Sequence, residues 1–100
     1  MKPRSYPPLP KAVMAPGGEV VIKLVEKAGT NGDAWGTWNE AMRVIEIEKG
    51  AEPRHRWRVL FHELTHVALD DAGLSNGMPE ELVEAVCDAM ASARMRERFG

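Results

Sequence analysis

A small α+β domain is the fold class that this chain of 100 residues predicts, and three observations carry it. A branched run, EVVIKLVEK (19–27), alternates in the manner of a strand, and two further short strand patterns follow it. After these, two long stretches repeat apolar residues every three or four positions, as helices do. Strands first and helices second, with no repeat and no internal linker, is the order of an α+β fold rather than of alternating βα units. The sheet is expected to be short and mainly antiparallel, packed on the two helices.

Residues 1–18 hold five of the seven prolines and the pair Gly17-Gly18, so they read as an extended arm, with residues 19–100 as one domain. In the first strand Val20, Ile22 and Leu24 face the core, and Val21, Lys23 and Val25 face away. AGTNGD (28–33) is a turn, because Asn-Gly accepts the positive φ of tight turns. AWGTWN (34–39) and AMRVIEIEKG (41–50) are two short strands joined near Asn39 and Glu40.

A helix begins at Pro53, since proline suits a first helical turn, and its stripe is Trp57, Leu60, Phe61, Leu64 and Ala68. Gly73 stops it, LSNGM is a loop, and Pro79 opens the last helix. There Leu82, Val83, Val86, Met90 and Ala93 are expected to face the core, and ARMRER places positive charge where the helix dipole is negative.

The net charge of −2 and the lack of a basic block argue against a nucleic-acid partner. A single cysteine, Cys87, makes no internal disulfide and points to a reducing compartment. MKPRSYPPLP is followed by no apolar run of the kind a signal peptide or membrane span requires. A cytoplasmic protein away from the membrane is the expectation.

HELTH (62–66) is the stretch with chemistry in it. On a helix, positions four apart share a face, so His62 and His66 reach one metal ion from consecutive turns. Glu63, rotated by about 100°, reaches a water on that metal without being an obligatory ligand. Two neutral imidazoles bind zinc, zinc lowers the pKa of its water towards about 7, and the carboxylate takes the proton. With three histidines and eleven glutamates, the pattern arises by chance about once in a hundred such chains, before a helical context is required.

A catalytic zinc usually has three protein ligands and an open position. His55 lies seven residues before His62 on the same helix, too far along the axis to share its ion, and Asp70 fails for the same reason. The third ligand must come from another element. The last helix offers Glu80, Glu81, Glu84 and Asp88, of which Glu84 and Asp88 share a face. One can bind the metal while the other accepts the free N–H of a ligating histidine; Glu81 is a further choice.

HELTH followed by VEAVCD (83–88) resembles the gluzincin pattern of zinc metallopeptidases, HExxH and then a helix carrying a sequence like NExxSD. Val83 and Cys87 stand where that pattern has asparagine and serine. The resemblance spans Pro53 to about Phe99. It implies a small zincin-like fold, Zn2+ on His62, His66 and Glu84, Glu63 as general base, and Asp88 supporting a zinc-binding histidine. The size and element order are also similar to minimal gluzincins and to the ImmA/IrrE-like metallopeptidases of bacteria and phages. By position, Ala41–Glu48, with Arg43, Val44, Ile45 and Glu46 at its centre, would be the edge strand on which a peptide or protein substrate lies.

Larger gluzincins stabilise the oxyanion with a tyrosine or histidine from a further domain. Here Tyr6 and His55 are the only such side chains outside the motif, with Asn39 as another donor, so slow or narrowly specific hydrolysis is expected. The arm Met1–Gly18 is either a strap over the sheet or a cover for the zinc. Trp35, Trp38 and Trp57 read as core, one of them able to floor a cleft. Cys87 reads as a buried filler pointing away from the metal. The competing function is a non-catalytic zinc-containing module that binds peptides or proteins without cutting them.

Overall fold

The computed structural model describes residues 5–28 and 35–100. Four strands and two long helices follow one another: β1 (Ala12–Ala15), β2 (Gly18–Val25), β3 (Gly36–Asn39), β4 (Val44–Glu48), α1 (Pro53–Asp71) and α2 (Glu80–Phe99), with a short 3-10 turn, Ser75–Gly77, between the helices. The fold is a small, compact α+β unit. The turn expected over 28–33 falls almost wholly outside the described residues.

The sheet order is β1-β2-β4-β3. β1 pairs antiparallel with β2 and β3 antiparallel with β4, but the central pair, β2 and β4, is parallel, with Ile22 opposite Ile45 and Leu24 opposite Ile47. The sheet is therefore mixed, because β3 leaves β2 and returns on the far side of β4. This placement corrects the expected substrate edge. Arg43, Val44, Ile45 and Glu46 belong to, or lead into, a strand hydrogen-bonded on both sides, so they offer no free backbone; the free edges are β1 and β3.

The expected arm is partly a sheet strand. Ala12–Ala15 turns back on β2 at Pro16-Gly17, and Tyr6 and Leu9 pack against the core. Trp57 Nε1 donates to the Pro7 carbonyl at 2.7 Å, which ties the chain before β1 to α1. A proline-rich composition hid a four-residue strand lying between two of its prolines.

Val20, Ile22, Ile45 and Ile47 project from one sheet face onto Trp57, Leu60, Phe61 and Val67 of α1. α1 lies between the sheet and α2, so Val59 and Val67 are buried as well, whereas Ala68, expected in the stripe, is exposed. On α2 the buried residues are Val83, Cys87, Ala91 and Met95. Of the five positions expected inward only Val83 is buried, while Leu82 and Met90 are about half exposed at 48% and 45%. Small side chains at Cys87 and Ala91 let the two helices approach closely, and that rotates the larger Leu82 and Met90 outward. Leu24 lies beyond the core's margin and is exposed. Gly73, with φ of 72°, occupies the left-handed conformation that ends α1, as its position predicted.

Arg43, itself at φ 53°, forks onto Asp71 at the end of α1 with Nη1–Oδ1 and Nη2–Oδ2 distances of 2.8 and 2.9 Å. Gly17 N–H donates to the same carboxylate at 2.9 Å, so hairpin, β4 and α1 meet on one charge. The guanidinium, and then the Gly17 amide, hold Asp71 down at about 2 from 3.8. A carboxylate lowered in this way stabilises the fold fully above its ordinary pKa and ceases to do so as pH falls through about 2. Asp71→Asn is expected to melt below the parent protein at pH 7, with the gap closing near pH 2. Equal melting temperatures at neutral pH would remove the junction's role.

Candidate metal centre

Residues 62–66 sit mid-helix, where the hydrogen-bond ladder is regular and side-chain directions are set by the 3.6-residue turn. His62 and His66 are each about one-fifth exposed, with ring centroids 5.1 Å apart. Glu84, one turn into α2, faces both: its Oε2 lies 3.3 Å from His62 Nε2 and its Oε1 2.9 Å from His66 Nε2. Asp88, a turn further on, meets the other nitrogen of His62, with Nδ1–Oδ1 of 2.9 Å.

The His62 ring is held at both nitrogens, Nδ1 by Asp88 and Nε2 by Glu84. A proton on Nε2 satisfies the Glu84 carboxylate, and a metal cation taken in exchange for that proton does so as well. Donors on a tetrahedral ion with bonds near 2 Å lie about 3.3 Å apart; the two Glu84 oxygens lie 3.3 and 2.9 Å from the imidazole nitrogens, within reach of that spacing and also of direct hydrogen bonds. The residues therefore fit a divalent cation held by two imidazoles and one carboxylate.

Glu63 is the one polar or charged residue buried as a whole among the described residues, at 8% exposure, and it lines the cleft beside the imidazoles. Burial, and then the charge of Glu84, push its carboxyl up to about 8 from 4.5. A cation on the imidazoles would pull it back down, because it favours the ionised form.

Cys87 departs from expectation. It is fully buried, but its Sγ and one ring nitrogen from each of His62 and His66 lie within 4.8 Å of one another. Positions 84, 87 and 88 share one helix face, so the thiol enters beneath the carboxylates instead of turning aside. Burial and the nearby charges of Glu84 and Glu63 push it up to about 12. Two donor sets thus share the imidazoles, one completed by Glu84 and one by Cys87.

The cleft over these groups has a volume of about 590 Å³ and is walled by Trp35 and by Gly36, Thr37 and Trp38 of β3 on one side, and by His55, Arg58 and Val59 of α1 on the other. Trp35 is 46% exposed and meets His55 edge to face at 5.7 Å, so it is a cleft residue and not core. Trp38 is half-buried, with Nε1 donating to Asp70 at 2.8 Å, which pins β3 to the far end of α1. Asp70 also accepts from Ser75, so both of its oxygens are engaged, Oδ2 by Trp38 and Oδ1 by Ser75. Trp57 is in the buried core and Trp38 packs against it from the cleft side, so of the three only Trp35 departs from the core reading.

Of the candidate oxyanion donors, only His55 lines this cleft. Tyr6 stacks on Phe99 at 4.9 Å on another side of the molecule, and the Asn39 side chain caps the turn at Met42. Sequence reasoning missed Arg58. Its signal was available, because it stands four residues before His62 on the same helix face.

Comparison of the chain with protein-family models, with curated proteins and with solved structures gave no match. No helix among the described residues is long and apolar enough to cross a membrane.

Proposed function

We propose that the protein is a zinc-dependent metallopeptidase of a minimal, zincin-like kind, acting on a peptide or protein substrate. The observation that carries this reading is the Glu84 carboxylate held against both Nε2 atoms of the HExxH histidines. His62, His66 and Glu84 are the ligands in this reading. When bound, zinc supplies a Lewis acid for the scissile carbonyl and an acidified water. Asp88 fixes the His62 tautomer, so that Nε2 and not Nδ1 is the donor.

Glu63, with no hydrogen bond or ion pair among the described residues to consume its carboxylate, takes the proton at the cleft wall and returns it to the departing amine. β3, with one edge unpaired, offers backbone N–H and C=O groups to an extended chain lying in the cleft. His55 is the cleft group able to donate to a developing oxyanion.

The position of Cys87 favours a second reading, in which the thiolate completes a closed zinc site and the protein binds without cutting. One preparation separates the two. Protein purified at neutral pH is expected to carry one zinc per chain and to cleave members of a mixed peptide library, with cleavage abolished by chelator. Cys87→Ala is expected to retain both zinc and cleavage. Zinc retention without products, lost in Cys87→Ala, would establish the closed site, and absence of stoichiometric zinc would end both readings.

A further inference from the structure

Arg58 lines two hollows at once: the metal-centre cleft, and a smaller pocket of about 220 Å³ formed by Arg54, Arg58, Ser92, Met95, Arg96 and Gly100. Three guanidinium groups therefore surround one concavity that opens beside the cleft. No ion pair among the described residues engages Arg54, Arg58 or Arg96; the only polar side-chain contact here is Arg58 Nη1 donating to Ser92 Oγ at 2.9 Å. The other arginines of the helices are occupied: Arg56 on the carbonyls of Lys49 and Ala51, Arg94 over Phe61, and Arg98 over Trp57.

A second, independent observation concerns the helix itself. The first turn of α1 holds no acidic residue, and Glu52 before it makes no side-chain cap. The positive end of a helix favours an anion, and here Arg54 follows the acidic N-cap Glu52 within the first turn. No Asp or Glu side chain is among the residues lining this pocket, although the chain as a whole has net charge −2.

We infer that this arginine pocket is a specificity site for a carboxylate carried by the substrate, so that the protein selects acidic or C-terminal stretches of polypeptide. The proposal rests on the peptidase reading for its link to cleavage, though not for binding. Direction along the cleft follows from contacts. Trp35 lies by His55, Gly36 by Val59 and Glu63, and Trp38 by Asp70, so β3 runs alongside α1 in the same sense. A peptide beside β3 thus leads from the metal centre to the Arg58 end. Arg58 is about 6 Å and Arg54 about 12 Å along the axis from His62. An extended chain covers that in about three or four residues, which sets where the carboxylate must lie relative to the scissile bond. Planar guanidinium groups pair with carboxylates through two parallel hydrogen bonds, the geometry lysine lacks.

The test uses zinc-loaded, full-length Glu63→Gln, so that binding is read without turnover, and a peptide series followed by tryptophan fluorescence. One arm moves a single aspartate along an otherwise neutral, C-terminally amidated peptide. The other compares free with amidated C-termini, and so separates a side-chain carboxylate from a terminal one. The expected result is binding about tenfold tighter for one carboxylate position, equivalent to about 1.4 kcal/mol. That preference ratio should fall to near one in an Arg54→Gln, Arg96→Gln background.

Equal binding of acidic and neutral peptides, or a ratio unchanged by the double substitution, would overturn the proposal. Parallel cleavage assays on the parent enzyme keep the two ideas apart. A carboxylate preference in binding with no chelator-sensitive cleavage defeats the peptidase and leaves the pocket standing. Cleavage without the preference does the reverse.

Discussion

Glu63→Gln is expected to keep its zinc and lose peptide hydrolysis by about 10² to 10⁴-fold, the size of a general-base contribution. The substituted amide would occupy the same volume against Gly36 and Val59 without a basic oxygen, so the fold should be indifferent to it. His66→Ala should lose both metal and activity, because it removes an Nε2 that sits 2.9 Å from Glu84. Metal content and turnover measured on both variants give a two-by-two outcome. Cleavage at the parent rate by Glu63→Gln would show that the buried carboxylate plays no chemical part. Zinc held at parental affinity by His66→Ala would show that the imidazole pair is not the binding site.

Gly36→Ala should unsettle the same site from the sheet side. A β-carbon added there would stand 2.4 Å from Val59 Cγ1 and 3.1 Å from the Glu46 carbonyl, with Glu63 Cγ at 3.7 Å. Neither neighbour yields easily: Val59 is a stiff, branched side chain 8% exposed on α1, and the carbonyl belongs to an interior strand. Overpacking of this kind costs about 1–3 kcal/mol. For a domain of this size that lowers the melting temperature by roughly 5–20 °C. Gly50→Ala is the control, since an added β-carbon there meets nothing within 4 Å. If the two variants melted together, β3 would not be wedged against α1 as described. Displacement of β3 should also reduce peptide cleavage beyond what lost folded protein explains, because β3 is a wall of the cleft.

What was legible in the sequence is what depends on neighbours along the chain. Pro53, Gly73 and Pro79 mark the helix limits through local backbone preferences, and the alternation around Val20–Ile22 and Ile45–Ile47 marks buried strand faces. His62, Glu63 and His66 were legible for the same reason, since one helix turn fixes their spacing. Glu84 and Asp88 required two helices to be docked; their shared face made them candidates and the family pattern gave each its role, and the structure brings them to the imidazoles.

Properties set by distant segments were not legible. Nothing local says that β2 pairs parallel with β4 while β3 passes outside, so the strand preceding α1 reads as an edge when it is interior. The inward face of α2 is misread when large apolar residues are weighed above small ones. Close helix approach selects Cys87 and Ala91, and the same closeness brings Cys87 near the histidines.

The position of β3 has a consequence for motion. It is bonded to the sheet along one side only, and the strand that precedes it in the chain lies two places away in the sheet. The histidines and carboxylates, by contrast, stand on a pair of mutually buried rods. The rim of the cleft therefore depends on β4 on one side and on two attachments to α1, Gly36 against Val59 and Trp38 on Asp70; loosening either would open the rim before the paired helices separate.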